Sequence, residues 1–102
     1  MNIFIDDERF PVSEDFIICR NFSDFVNLVT TTKETISFIS FDHDLGEKQP
    51  TGYDIVKWLV DYDQYHDIIN ENFSFFVHSQ NPVGKQNIES LMNNWLNFKR
   101  AG

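Results

Sequence analysis

Side chains able to bind metals or move protons follow apolar runs at three places in this chain. Asp6-Asp7 follows Asn2-Ile-Phe-Ile5, Asp42-His43-Asp44 follows Ile36-Ser-Phe-Ile-Ser-Phe41, and His78-Ser79 follows Phe73-Ser-Phe-Phe-Val77. Such groups are costly in a core and useful at a site. Carboxylates held close together resist ionising, and a bound cation relieves that repulsion. Asp6, Asp7 and Asp42 are therefore candidate ligands of Mg²⁺ or Mn²⁺, a hard cation that takes one or two carboxylates and keeps several waters. The ordinary alternative for Asp6-Asp7 is loop solvation. Asp42 is the strongest of the three, because it directly follows a very apolar run.

The neighbouring residues have further roles open to them. His43 is a packed histidine, a general acid or base, or a ligand for a softer metal. Asp-His-Asp is not a zinc spacing. Asp44 either contacts a ligand or brackets a turn with Gly46. Adjacent strand residues point to opposite faces, so His78 and Ser79 do not form a nucleophile–base dyad. His78 is the better acid/base candidate, and Ser79 is read as a hydroxyl that contacts a phosphate. Asn81 is a helix cap first and a ligand contact second. Lys85 lies in the first turn of a helix, where the macrodipole disfavours a cation. Beside Gly84 and free backbone N–H groups it makes an anion cradle, the alternative being a tolerated surface lysine. Cys19, Trp58 and Trp95 are read as packing residues.

These residues need a scaffold that brings three strand ends together. The apolar runs Asn2–Ile5, Phe16–Cys19, Ile36–Phe41 and Phe73–Val77 are of strand length. Between them, Asn21 and Asp24 signal a helix start, with Phe22, Phe25, Val26 and Val29 on one face. Thr51 and Asp54 signal another, with a stripe of Ile55, Val56, Leu59 and Tyr62. Asn81-Pro82 opens a third, carrying Ile88, Leu91, Met92, Trp95 and Leu96. Residues 67–72 read as a polar loop. The order β-β-α-β-α-β-α implies a three-layer α/β fold, a parallel sheet of about four strands in order 2-1-3-4. Ligands of such sheets bind at the carboxyl ends of the strands, where these acids and imidazoles lie.

Composition narrows the partners. The 102 residues, 41% hydrophobic, suit a single domain over residues 1–102. The formal charge is −8, from 16 acids and 8 bases that do not cluster. General nucleic-acid binding is therefore not expected. Neither a secretory signal nor an apolar run of roughly 20 residues is present, and one Cys forms no internal disulfide. A cytoplasmic setting away from membranes is expected. An acidic cation pocket beside an anion cradle suits a small phosphorylated ligand held through a metal.

Four ordered motifs resemble the cyclic-phosphate-processing receiver-like domains, a divergent branch of the response-regulator receiver (flavodoxin-like) fold. They are Ile5-Asp6-Asp7-Glu8-Arg9, Phe41-Asp42-His43-Asp44-Leu45-Gly46, Thr51-Gly52-Tyr53-Asp54 and Val77-His78-Ser79-Gln80-Asn81-Pro82-Val83-Gly84. The resemblance implies that Asp6, Asp7 and Asp42 hold Mg²⁺ and that Ser79 or its neighbour is the hydroxyl after strand 4. It adds Arg9 to Asp44, Ser79, Asn81 and Lys85 as ligand-binding residues. The fifth receiver strand and its lysine are missing, and residues 9–14 offer no evident helix. Both departures argue against a phosphorelay switch. The leading expectation is metal-dependent hydrolysis of a cyclic phosphate or nucleotide, with Asp42, His43 and His78 catalytic. The alternatives are a non-catalytic protein that sequesters a nucleotide or blocks a protein partner, and a phosphoacceptor at Asp42.

Overall fold

The computed structural model describes residues 1–101. Its elements are β1 (Asn2–Ile5), β2 (Phe16–Cys19), α1 (Phe22–Thr31), β3 (Ile36–Phe41), α2 (Gly52–His66), β4 (Ile69–Val77) and α3 (Pro82–Ala101). The strands form one parallel sheet in order β2-β1-β3-β4, the order expected from the sequence. Among the described residues no helix is long and apolar enough to cross a membrane.

Chain direction decides where the helices go. The steps β2 to β3 and β3 to β4 run the same way across the sheet. Right-handed crossovers therefore lay α1 and α2 on one face, and α3 packs beside α2. The step from β1 to β2 runs backwards, so its connection must cross the opposite face. That connection, residues 6–15, contains no helix. The expected third layer is therefore a loop: the helices cover one face, and the other carries only this connection among the described residues.

The pleat divides the strand side chains accordingly. Ile3, Ile5, Ile39, Phe41 and Val77 join Phe25, Val29, Ile55, Leu59, Ile88 and Met92 in the helix-side core. In register with one another on the other face lie Phe4, Ile18, Ser40 and Phe76, then Phe16, Asn2, Phe38 and Ser74. Phe4 and Ser40 are buried there, whereas Phe76 is exposed.

Capping follows the sequence with one displacement. Asn21 Oδ1 accepts from Asp24 N at 2.8 Å, but Asp24 Oδ2 takes the N–H of Arg20, one residue before the cap. Thr51 and Asp54 form a complete capping box, and Asn81 Oδ1 accepts from Gly84 N at 2.9 Å. Gly46, at φ 116°, turns the chain after β3 in a conformation that favours glycine. Strand β4 starts at Ile69 rather than Phe73, because an edge strand can leave Glu71 and Asn72 in solvent. Its start is tied to the helices by Asp63. That carboxylate is buried on the α2 stripe and accepts from Ile68 N, Ile69 N, Trp95 Nε1 and Lys99 Nζ at 2.7–2.9 Å.

Candidate active site

At the carboxyl ends of β1, β3 and β4, the apolar residues of the helix-free face give way to polar groups. Phe4 leads to Asp6, Phe38 to Ser40 and Asp42, and Phe76 to His78. Backbone pairing continues past the strands, with Asp42 N donating to Ile5 O and His78 N to Phe41 O, both at 2.9 Å. The three side chains are thereby delivered to one spot. One ligand atom each from Asp6, Asp42 and His78 lies within 4.8 Å of the others.

Asp6 is fully buried and held from three directions. Its Oδ1 accepts from Glu8 N at 3.0 Å and Arg9 N at 2.8 Å, and its Oδ2 faces His78 Nε2 at 2.9 Å. Arg9 Nε lies 3.6 Å from the same oxygen. Burial alone pushes the Asp6 pKa up, but the two backbone N–H groups and His78 outweigh it and hold the carboxyl below its usual range. The His78 ring stacks on Phe4, with centroids 4.8 Å apart, and its Nδ1 pairs with Ser40 Oγ at 2.7 Å. Ser40 was not apparent from the sequence as a site residue. Its side-chain parity with Asp42 and Phe38 was the available signal.

Asp42 is 5% exposed, and its Oδ1 accepts from His43 N at 2.8 Å. It lines a cavity of about 480 Å³ together with Asp7, Glu8, Asp44, Glu47, Arg9 and Gln80. Asp7 thus stands on the cavity wall and is not one of the three clustered groups, a place taken by His78. Two carboxylates and an imidazole within reach of one another are donors that suit a divalent cation of hard or borderline character. An acidic wall of this kind would also repel a phosphate unless a cation were present.

The remaining predicted residues lie toward the helix layer. His43 packs its ring against Gly84 in the first turn of α3, where an added Cβ would fall 2.3 Å from His43 Cγ. It is not one of the Asp6–Asp42–His78 group, and its Nδ1 is buried without a partner among the described residues. Gly52 opens α2 in the same close manner, its N–H donating to His43 O at 2.8 Å. Ser79 Oγ accepts from Asn81 N at 3.1 Å, and Asn81 Nδ2 reaches Asp44 Oδ2 at 3.4 Å. Lys85 is half-buried, with its backbone N–H bonded to Asn81 O. Ser79, Asn81 and Lys85 therefore sit beside the acidic cavity without lining it, whereas Arg9 and Asp44 line it. Gln80, not singled out in the sequence, does so as well.

Comparison with known proteins gives the family. No curated protein and no solved structure matches the chain. Residues 1–94 match the family described as cyclic-phosphate processing receiver domain, and this match contains every residue of the cluster and the cavity wall. With nearly its whole length matched, the chain belongs to the cyclic-phosphate processing receiver domain family.

Proposed function

We propose that this domain hydrolyses a small cyclic phosphate with the help of a divalent cation, Mn²⁺ or Mg²⁺, held by Asp6, Asp42 and His78. The observation that carries this reading is the approach of these three side chains to within 4.8 Å beside an acid-lined cavity. The imidazole moves the preference of the donor set from Mg²⁺ toward Mn²⁺. A cation bound there would supply Lewis-acid polarisation of a phosphoryl oxygen and a more acidic water.

The chain's own groups do the positioning. Backbone N–H groups of Glu8 and Arg9 fix the Asp6 carboxylate before any ligand arrives, and Ser40 fixes the far side of the His78 ring. Arg9, on the cavity wall, offers charged donors to a phosphate oxygen. In the reaction a water oxygen bonds to phosphorus, one ring P–O ester bond breaks, and the water's proton ends on the departing oxygen. Asp7 and Asp44, exposed on the cavity wall, are the carboxylates available to carry that proton.

The test is incubation with a nucleoside 2′,3′-cyclic phosphate and Mn²⁺, followed by denaturation and ³¹P NMR of the released ligand. A linear phosphomonoester, lost on adding EDTA or in Asp42→Asn, is the expected result. Intact cyclic ligand recovered from a stable complex would instead assign the protein to binding without turnover.

A further inference from the structure

The face of the sheet that no helix covers ends at the same site and has a different character. Along it Phe16, Phe38, Phe4 and Phe76 form an aromatic floor, over which the 6–15 connection raises Phe10 and Val12 as a wall. The groove encloses about 350 Å³, and Ser40, His78 and Arg9 form its polar end. Arg9 thus lines both cavities: the acidic one, with Asp42, opens beyond the carboxyl edge, and the aromatic one, with His78, runs along the bare face.

The wall is held in place rather than merely exposed. Arg20 lies over the Phe10 ring, its Cζ 4.7 Å from the centroid, and its Nη1 donates to Asp6 O at 3.0 Å and also to Arg9 O. One guanidinium therefore ties the groove wall to the backbone that positions Asp6. A groove with an aromatic body and a cationic and imidazole end is complementary to a ligand with a flat ring at one end and a phosphate at the other. A second copy of the chain fits it less well, because two molecules of net charge −8 repel one another.

We propose that this groove is a base subsite, which stacks the nucleobase of a nucleoside cyclic phosphate whose phosphate lies at the Asp6–Asp42–His78 strand ends. The placement of the phosphate rests on the function proposed above; the placement of the ring rests on the groove alone. Aromatic stacking tolerates any base, so the subsite selects nucleosides over base-free sugar phosphates without selecting strongly among bases.

Three probes separate the two parts: adenosine 2′,3′-cyclic phosphate, base-free ribose cyclic phosphate, and adenosine itself. Binding is read by calorimetry in Mn²⁺ and by NMR of the phenylalanine rings. Phe76 is 57% exposed, so Phe76→Ala leaves the core intact; Phe98→Ala, 71% exposed on α3, is the control. We expect the base-bearing cyclic phosphate to bind about tenfold or more tightly than the base-free one. Phe76→Ala should erase that preference without weakening the base-free ligand, and Phe98→Ala should change neither. Adenosine alone should shift Phe4, Phe38 and Phe76 resonances saturably at millimolar concentration. If adenosine shifts those rings while neither cyclic phosphate binds more tightly than adenosine, the subsite stands and the phosphate reading falls. Equal affinity for the two cyclic phosphates, with no ring shifts from adenosine, would overturn the subsite and leave the phosphate reading intact. A concentration-dependent dimer lost in Phe76→Asp, again without adenosine shifts, would overturn it in favour of a second copy.

Discussion

Replacing Gly84 by alanine tests the packing that sets the backbone after Asp42. Gly84 lies in the first turn of α3, where alanine is ordinarily the better helix former by about 1 kcal/mol. With open space at this position, Gly84→Ala would therefore stabilise the protein. The space is not open: the new Cβ would lie 2.3 Å from His43 Cγ, 2.4 Å from Cδ2 and 2.8 Å from Cβ. These atoms are near the root of the side chain, and the His43 carbonyl is itself fixed by Gly52 N at 2.8 Å. Relief therefore requires α3 or the end of β3 to move, and overpacking of this kind costs about 1–3 kcal/mol. Set against the propensity gain, the net change is a destabilisation of about 1–2 kcal/mol. In a domain of this size each 1 kcal/mol lowers Tm by roughly 4–8 °C. Urea unfolding of the single variants and of Gly84→Ala with His43→Ala completes a double-mutant cycle. Once the ring is gone, Gly84→Ala should become neutral or stabilising, giving a coupling of about 1–3 kcal/mol. A stabilising Gly84→Ala in the wild-type background, or a cycle with no coupling, would refute the placement of His43 beneath α3.

Other perturbations probe the far end of the fold and the pH response. Asp63→Ala strands two backbone N–H groups, the Trp95 indole N–H and the Lys99 ammonium, and should cost about 3–5 kcal/mol in urea unfolding; Lys99→Met in that background should recover part of it. The Asp6 carboxyl is held below its usual range, so its contribution to stability is complete above the unfolded value near 3.8 and disappears as pH falls through the lower folded value. Between pH 5 and pH 2, Asp6→Asn should therefore lose less stability than wild type. Burial pulls the Lys99 pKa down, but the hydrogen bonds that its ammonium donates to Asp63 and Asp67 outweigh it and raise it above 10.5; its contribution is present below that value and lost as pH rises through the folded one. Unfolding midpoints between pH 9 and pH 12 should fall less steeply in Lys99→Met. Burial, with Asp24 nearby, pushes the Cys19 thiol up to about 12, so it should react with iodoacetamide at pH 8 only after unfolding.

The strand order was legible in the sequence, because apolar runs of strand length alternate with helix signals, and the polar groups after β1, β3 and β4 mark one edge of the sheet. The single helical layer was less legible. It follows from the backward step between β1 and β2 and from a connection too irregular to form a helix. The sequence reading grouped Asp7 with Asp6 and Asp42, whereas the structure brings His78 to those two for a local reason. Pleat parity sends Asp6 and His78 to the face of Phe4 and leaves Asp7 on the cavity wall, and reading it requires the register between strands. The role of Asp63 is not legible in the sequence because two of its four partners, Trp95 and Lys99, lie on α3, 32 and 36 residues away. His43 directly follows Asp42 in sequence, and only the close approach of Gly84 shows that its ring packs against α3.

The central claim is that Asp6, Asp42 and His78 form one cation site, and Mn²⁺ binding followed by electron paramagnetic resonance tests it directly. Wild-type protein should take up one Mn²⁺, with ¹⁴N coupling from a single imidazole. Asp42→Asn should lose that binding while remaining folded, and His78→Gln should lose the nitrogen coupling. Asp7→Asn should keep both. Mn²⁺ bound without nitrogen coupling, or binding that survives in Asp42→Asn and disappears in Asp7→Asn, would contradict the account.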